Sequence, residues 1–157
     1  MLLLPITLLC LGAATPRPGL RSPQMTPQAI EAFLNRPLIA RLATVRADHS
    51  PQLTPMWYLW EGGALYMSTR ASSAKVKHIR SNPRVAVVVD IMEAPRKNII
   101  VTIEGRAEVL TEKVAEWTAK IRRRYMPASA DLHPQDPEPR VILKITPRKV
   151  EGIDTTK

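Results

Sequence analysis

The chain has 157 residues, of which 24% are charged and 45% apolar, and a formal net charge of +9 at pH 7. That length fits one domain around a single core and excludes a repeat array or a disordered tail, while the positive balance points to anionic partners: nucleic acid, a membrane surface or a phosphorylated small molecule. Cys10 is the single cysteine, which excludes an internal disulfide and a thiolate metal site and agrees with a reducing, cytoplasmic setting.

Met1 to Ala14 is an apolar run interrupted by Pro5 and Thr7, too short to span a bilayer and without a basic segment ahead of its leucines. Leu9 stands where a lipoprotein signal needs a small residue before Cys10. Residues 1–25 are therefore expected to be a leader or mis-assigned extension with a linker, 26–150 the folded domain and 151–157 a tail, with no membrane association. Thr26-Pro27 opens a short helix from about Pro27 to Leu34, a cap followed by proline at the first helical position. Leu38 to Arg46 is apolar and β-branched and ends in the turn cluster Ala47-Asp48-His49-Ser50, the first strand of a hairpin. Its partner is predicted from Gln52 to Trp60, and Glu61-Gly62-Gly63 turns the chain into a third strand, Ala64 to Thr69.

A short helix opening at Ser72-Ser73 follows and ends near Asn82-Pro83, since proline disfavours helical geometry before it. Val85 to Asp90 is a β-branched run suited to a buried strand. In Ile99 to Val109, Ile99, Val101, Ile103, Gly105, Ala107 and Val109 fall on one face with polar residues on the other, a half-buried strand with a bulge or bend at Gly105. Glu112 to Tyr125 reads as an amphipathic helix whose late arginines, Arg122, Arg123 and Arg124, suit the negative end of its dipole. After the proline-rich stretch Pro127 to Pro139, Arg140 to Ile145 forms a last strand before Pro147 and the tail. Six strands with short turns and few helices predict a mainly β fold, a small antiparallel barrel.

The helix at Ser73 carries charge of the wrong sign. A serine cap is ordinarily followed by Asp or Glu, because unpaired N–H groups and the dipole make that end positive. Here Lys75 and Lys77 occupy the first turn, Arg70 precedes it, and no acidic residue occurs between Glu61 and Asp90. Either an anion such as a phosphate sits there, held by N–H groups, serine hydroxyls and a lysine, or this is a solvated basic surface helix. Catalytic constellations are otherwise missing: the three histidines have no metal spacing, and no nucleophile elbow, P-loop or dinucleotide fingerprint occurs. Any hard chemistry would belong to a bound cofactor. Pro55 denies its strand a donor, so Thr54-Pro55-Met56 is expected at an edge whose free backbone meets a flat ring. Trp57, Tyr58, Trp60 and Tyr66 supply apolar area and are read first as core.

These residues resemble the split-barrel flavin-binding proteins of the pyridoxamine 5′-phosphate oxidase superfamily: Ser68-Thr69, then Ser73 and Lys75, then Ile79 and Asn82-Pro83, with an aromatic-bearing strand before them. The similarity runs from about Thr26 to Val150. It implies a six-stranded antiparallel split β-barrel, a homodimer with cofactor at the interface, and a phosphate at Ser68, Thr69, Ser73 and Lys75. Ala74, Gln52 and Trp57 stand where the vitamin-processing oxidase has basic residues, and its C-terminal Arg and His signature is absent from Val150-Glu151-Gly152-Ile153-Asp154.

Ala74-Lys75, Lys77 and Leu42-Ala43-Thr44 instead look like the branch with oxidoreductases using the deazaflavin coenzyme F-420, which also contains FMN and heme binders. The resemblance thus implies F-420, or FMN next, and hydride transfer to a small unsaturated or quinone-like acceptor. Thr54, Pro55 and Met56 would border the ring. Ser68, Thr69, Ser73, Lys75 and Lys77 would hold the phosphate end, and Lys75, Lys77, Arg80 and Arg70 would suit an anionic tail. The alternative is a non-catalytic FMN or heme storage protein of the same fold. Nucleic acid is disfavoured because Ala71 to Arg84 contains no aromatic residue among its basic groups.

Overall fold

The structure is a computed structural model that describes residues 23–95, 97–126 and 138–156. Expectations for residues 1–22 and for most of the proline-rich stretch lie outside the described residues. In chain order the elements are α1 (Pro27–Leu34), β1 (Ala40–Val45), β2 (Pro51–Met56), β3 (Leu59–Glu61), β4 (Ala64–Arg70), α2 (Ala74–Ser81), β5 (Arg84–Ala94), β6 (Lys97–Leu110), α3 (Val114–Tyr125) and β7 (Arg140–Asp154). Thr26 caps α1 by accepting from the Ala29 N–H at 3.2 Å, with Pro27 in the first turn. The β1–β2 turn is held by Asp48, whose carboxylate accepts from the Ser50 N–H and hydroxyl. Gly62 and Gly63 take positive φ of 60° and 74°, which the two-residue turn into β4 requires.

All strand pairs are antiparallel, in the order β2-β1-β5-β6-β7-β4-β3. The expected strand from Gln52 to Trp60 is therefore two strands, and the sheet has seven rather than six. The break has a physical cause: the Tyr58 N–H donates to the Tyr125 hydroxyl at 3.1 Å, and Trp57 stacks on the Tyr125 ring at 4.9 Å. Because β2 and β3 sit at opposite edges yet only Trp57 and Tyr58 separate them, the sheet must curl until its edges face each other. That is a split barrel. Its interior holds Leu42, Leu65, Met67, Val87, Val89, Val101, Ile103, Leu143 and Ile145, closed by Val76 and Ile79 of α2. Each fully buried aliphatic side chain contributes about 1.5–3 kcal/mol.

Pro55 lies on the edge strand β2, as expected. Tyr58 and Trp60 are core and Tyr66 is half-buried, but Trp57 is exposed. β5 and β6 both extend further than predicted, meeting in a hairpin at Ala94 and Lys97. β7 departs most: it does not stop before Pro147 but continues to Asp154, so residues 151–154 are strand and not tail. The β6–β7 register shifts between Glu104 and Gly105, with Arg148 as the extra residue, so the ladder is already interrupted beside Pro147. Met25 donates its N–H to the Gly152 carbonyl at 2.9 Å, tying the residues before α1 to β7. Among the described residues no helix is long and apolar enough to cross a membrane.

Candidate functional site

α2 begins where β4 ends. Ser73 takes the N-cap position with extended φ and ψ, yet its side chain caps no N–H of α2, and the first turn holds no acidic residue. The hydroxyl turns instead to Thr69 Oγ1 at 3.3 Å, and Lys75 Nζ donates to the same oxygen at 3.4 Å. Thr69 is buried and Lys75 half-buried. Desolvation holds the Lys75 pKa below the ordinary lysine value, and among the described residues no carboxylate pairs with it. Two hydroxyls, a partly dehydrated ammonium and the exposed N–H groups of a helix start thus converge, which is the donor set of an oxyanion site.

Two expected members do not join. Consecutive strand residues point to opposite faces, so Ser68 leaves Thr69 and bonds to Thr118 of α3 at 2.8 Å while accepting from Arg140 Nε at 2.9 Å. Residues two apart on a helix do not face each other, so Lys77 is exposed away from Lys75, on the side shared with Arg80. Arg70 forms an ion pair with Glu138 at 3.9 Å, and Ser72 donates to the same carboxylate at 2.8 Å. Sequence reasoning missed Glu138, which is far along the chain and carries no local signal.

β2 lies beside β1, the strand against which α2 packs. Among the described residues it pairs only with β1, so its other backbone edge has no strand there, and β3 covers β4 only as far as Tyr66. Register places Thr54 beside Leu42 and Met56 beside Ala40 on the inner face, while Pro55 points outward. Gln52 is the partner of Thr44, whose hydroxyl meets His78 Nδ1 of α2 at 3.1 Å. The side-chain oxygen of Gln52 is buried without a hydrogen-bond partner. Such an orphan is costly unless a ligand N–H meets it. The fit to a flavin-type group is therefore direct: an anion end at Thr69, Ser73 and Lys75, and an unpaired acceptor plus a free strand edge for a flat ring carrying amide-like groups. Among the described residues no cluster of metal-ligating side chains occurs, and His133 lies outside them.

No curated protein matches the chain. Among solved structures, a conserved hypothetical protein from Mycobacterium tuberculosis is 27% identical, with TM-score 0.72 over 83% of this chain and 86% of that one. An F420 reductase is 30% identical, with TM-score 0.63 over 76% of this chain and 94% of that one. A heme storage protein from Vibrio cholerae, 14% identical with TM-score 0.64 over 83% of this chain and 98% of that one, shares the fold alone. The family model described as pyridoxamine 5′-phosphate oxidase matches residues 26–154, and the chain belongs to that family.

Proposed function

We propose that the chain is an oxidoreductase that binds coenzyme F-420, with FMN as the nearest alternative, and passes hydride to a small unsaturated or quinone-like acceptor. The observation that carries this reading is Lys75, a half-buried ammonium bonded among the described residues only to Thr69, at the uncapped start of α2. Thr69, Ser73 and Lys75 would hold the phosphate, and the free edge at Thr54, Pro55 and Met56 would border the ring. When bound, the deazaflavin supplies the redox chemistry. The protein's part is to orient the group, to keep water from its reacting face and to meet its polar edge with Gln52; no side chain need act as acid or base. The F420 reductase among the similar structures supports the choice of coenzyme. Ala74 and Gln52 in place of basic residues argue against the vitamin-processing oxidation. We take the working form to be a homodimer with cofactor at the interface.

Titration of the purified chain with F-420 and, separately, with FMN, followed by fluorescence quenching at two salt concentrations, tests the reading. Tighter binding of F-420 with turnover of a quinone by the reduced coenzyme is the expected result. Preference for FMN moves the chain to the flavin alternative, and binding without turnover of any acceptor makes it a storage protein. Failure to bind either overturns the proposal.

A further inference from the structure

On the outer face of the sheet, a cavity of about 580 Å³ opens beside the ends of β1, β5 and β6, and none of Thr54, Thr69, Ser73 and Lys75 lines it. Its floor is low for a local reason. Ala43 and Ala86 are register partners on β1 and β5, and such small side chains leave a hollow. The walls are arginine. Arg84 and Arg106 stand directly opposite each other on β5 and β6, a like-charged cross-strand pair of the kind that destabilises a sheet. Arg148 arrives by the β6–β7 bulge: Glu104 pairs with Lys149 and Gly105 with Pro147, so Arg148 is the extra residue, tipped over to Glu104 at 2.8 Å. Gly105 cannot be larger, because a Cβ there would lie 2.4 Å from the Thr146 carbonyl oxygen.

The charges do not cancel. Glu104 is taken by Arg148, and among the described residues no carboxylate pairs with Arg84 or Arg106. Two exposed guanidinium forks therefore face one concave space of the size that holds a small molecule. We propose that this cavity is a second anion site that takes a phosphorylated small molecule, with Arg84 and Arg106 as its two ligating forks and Arg148 as a third cation at the rim. A phosphomonoester carries about −1.5 to −2 at pH 7, which matches two unpaired guanidinium groups better than a single carboxylate does, and its planar-fork contacts are those arginine makes best. The repulsion between Arg84 and Arg106 in the empty site becomes attraction to a shared ligand. The inference stands apart from the cofactor reading, since the two sites share no residue.

The experiment is calorimetric titration of the full-length protein with inorganic pyrophosphate at low and moderate salt, on the parent chain, on Lys75→Met, which removes the first anion site, and on Arg84→Gln and Arg106→Gln in that background. Saturable binding that survives in Lys75→Met, and that each arginine substitution then weakens about tenfold or more, is the expected result. Arg106→Lys should restore part of the affinity, as the charge returns without the fork. Thermal melts establish that the variants fold, which their surface positions favour. Absence of binding, including absence because a second copy covers the cavity, overturns the proposal. So does binding that the arginine variants leave intact, or binding that Lys75→Met alone removes.

Discussion

Replacing Lys75 with methionine separates a binding role from a structural one. The ammonium is half-buried, bonds among the described residues only to Thr69 Oγ1 at 3.4 Å, and is held below the ordinary lysine pKa by desolvation. The folded chain thus binds this proton less tightly than the unfolded chain. The buried charge costs stability at every pH below the depressed folded value, and the cost is relieved as pH rises from there towards the unfolded value of 10.5. Methionine keeps much of the apolar stem and removes the charge, so at neutral pH the unliganded variant should be as stable as the parent or more so. Binding should move the other way. Loss of one charge-assisted hydrogen bond is worth about 1.5–3 kcal/mol, a rise of ~10- to 150-fold in Kd for F-420. Fluorescence titration gives the affinity and urea melts give the stability. An unchanged Kd, or a loss of affinity that merely tracks a loss of stability, would refute the reasoning.

Other perturbations address the frame around the site. Tyr125→Phe removes the hydroxyl that accepts from the Tyr58 N–H at 3.1 Å and donates to the Leu38 carbonyl at 2.7 Å; the stranded N–H should cost about 1–3 kcal/mol, seen as a lower urea midpoint at unchanged slope. Burial pushes the Tyr58 and Tyr125 hydroxyls above the usual tyrosine range, so the folded chain holds those protons more tightly than the unfolded one. That contribution is fully present below the unfolded value of 10.0 and is lost as pH rises past it. Phenolate absorbance of these two residues should appear together with loss of far-ultraviolet dichroism, and gradual ionisation of a still-folded chain would contradict this. Gly105→Ala brings a Cβ against the Thr146 carbonyl, a backbone atom that cannot swing away. A cost of about 1–3 kcal/mol is expected, and a melt indistinguishable from the parent's would show that the bulge yields freely.

Local chemistry explains why most of the fold could be read from the chain. The period of two in Ile99 to Val109, the alternate valines of β5, the Asp48 turn and the Gly62-Gly63 turn each act within a few residues. The errors came where a distant partner decides. Trp57 and Tyr58 have strong β propensity, so Gln52 to Trp60 reads as one strand until Tyr125, 67 residues further along than Tyr58, takes the Tyr58 N–H. Pro147 reads as a terminator because a central strand cannot spare the donor, but the ladder is already interrupted beside it by the bulge at Arg148, and β7 runs on.

The same distinction governs the site. Lys75 was legible because its charge opposes the helix end on which it sits, and that conflict is local. The family resemblance groups Ser68 and Lys77 with it, whereas the periods of strand and helix send them to other faces. Arg84 and Arg106 had no signal at all, since only the β5–β6 register sets them opposite each other. Part of the charge that composition reports as a single balance of +9 thereby lies at two separate places, the start of α2 and the outer face of β5 and β6. A uniformly basic surface would bind every polyanion with one salt-sensitive affinity. Two separate sites require instead that pyrophosphate still bind the chain saturated with F-420, and that substitution at Arg106 weaken pyrophosphate while leaving F-420 affinity unchanged. Loss of all pyrophosphate binding on saturation with F-420 would merge the sites into one and remove the second anion site while leaving the cofactor reading in place.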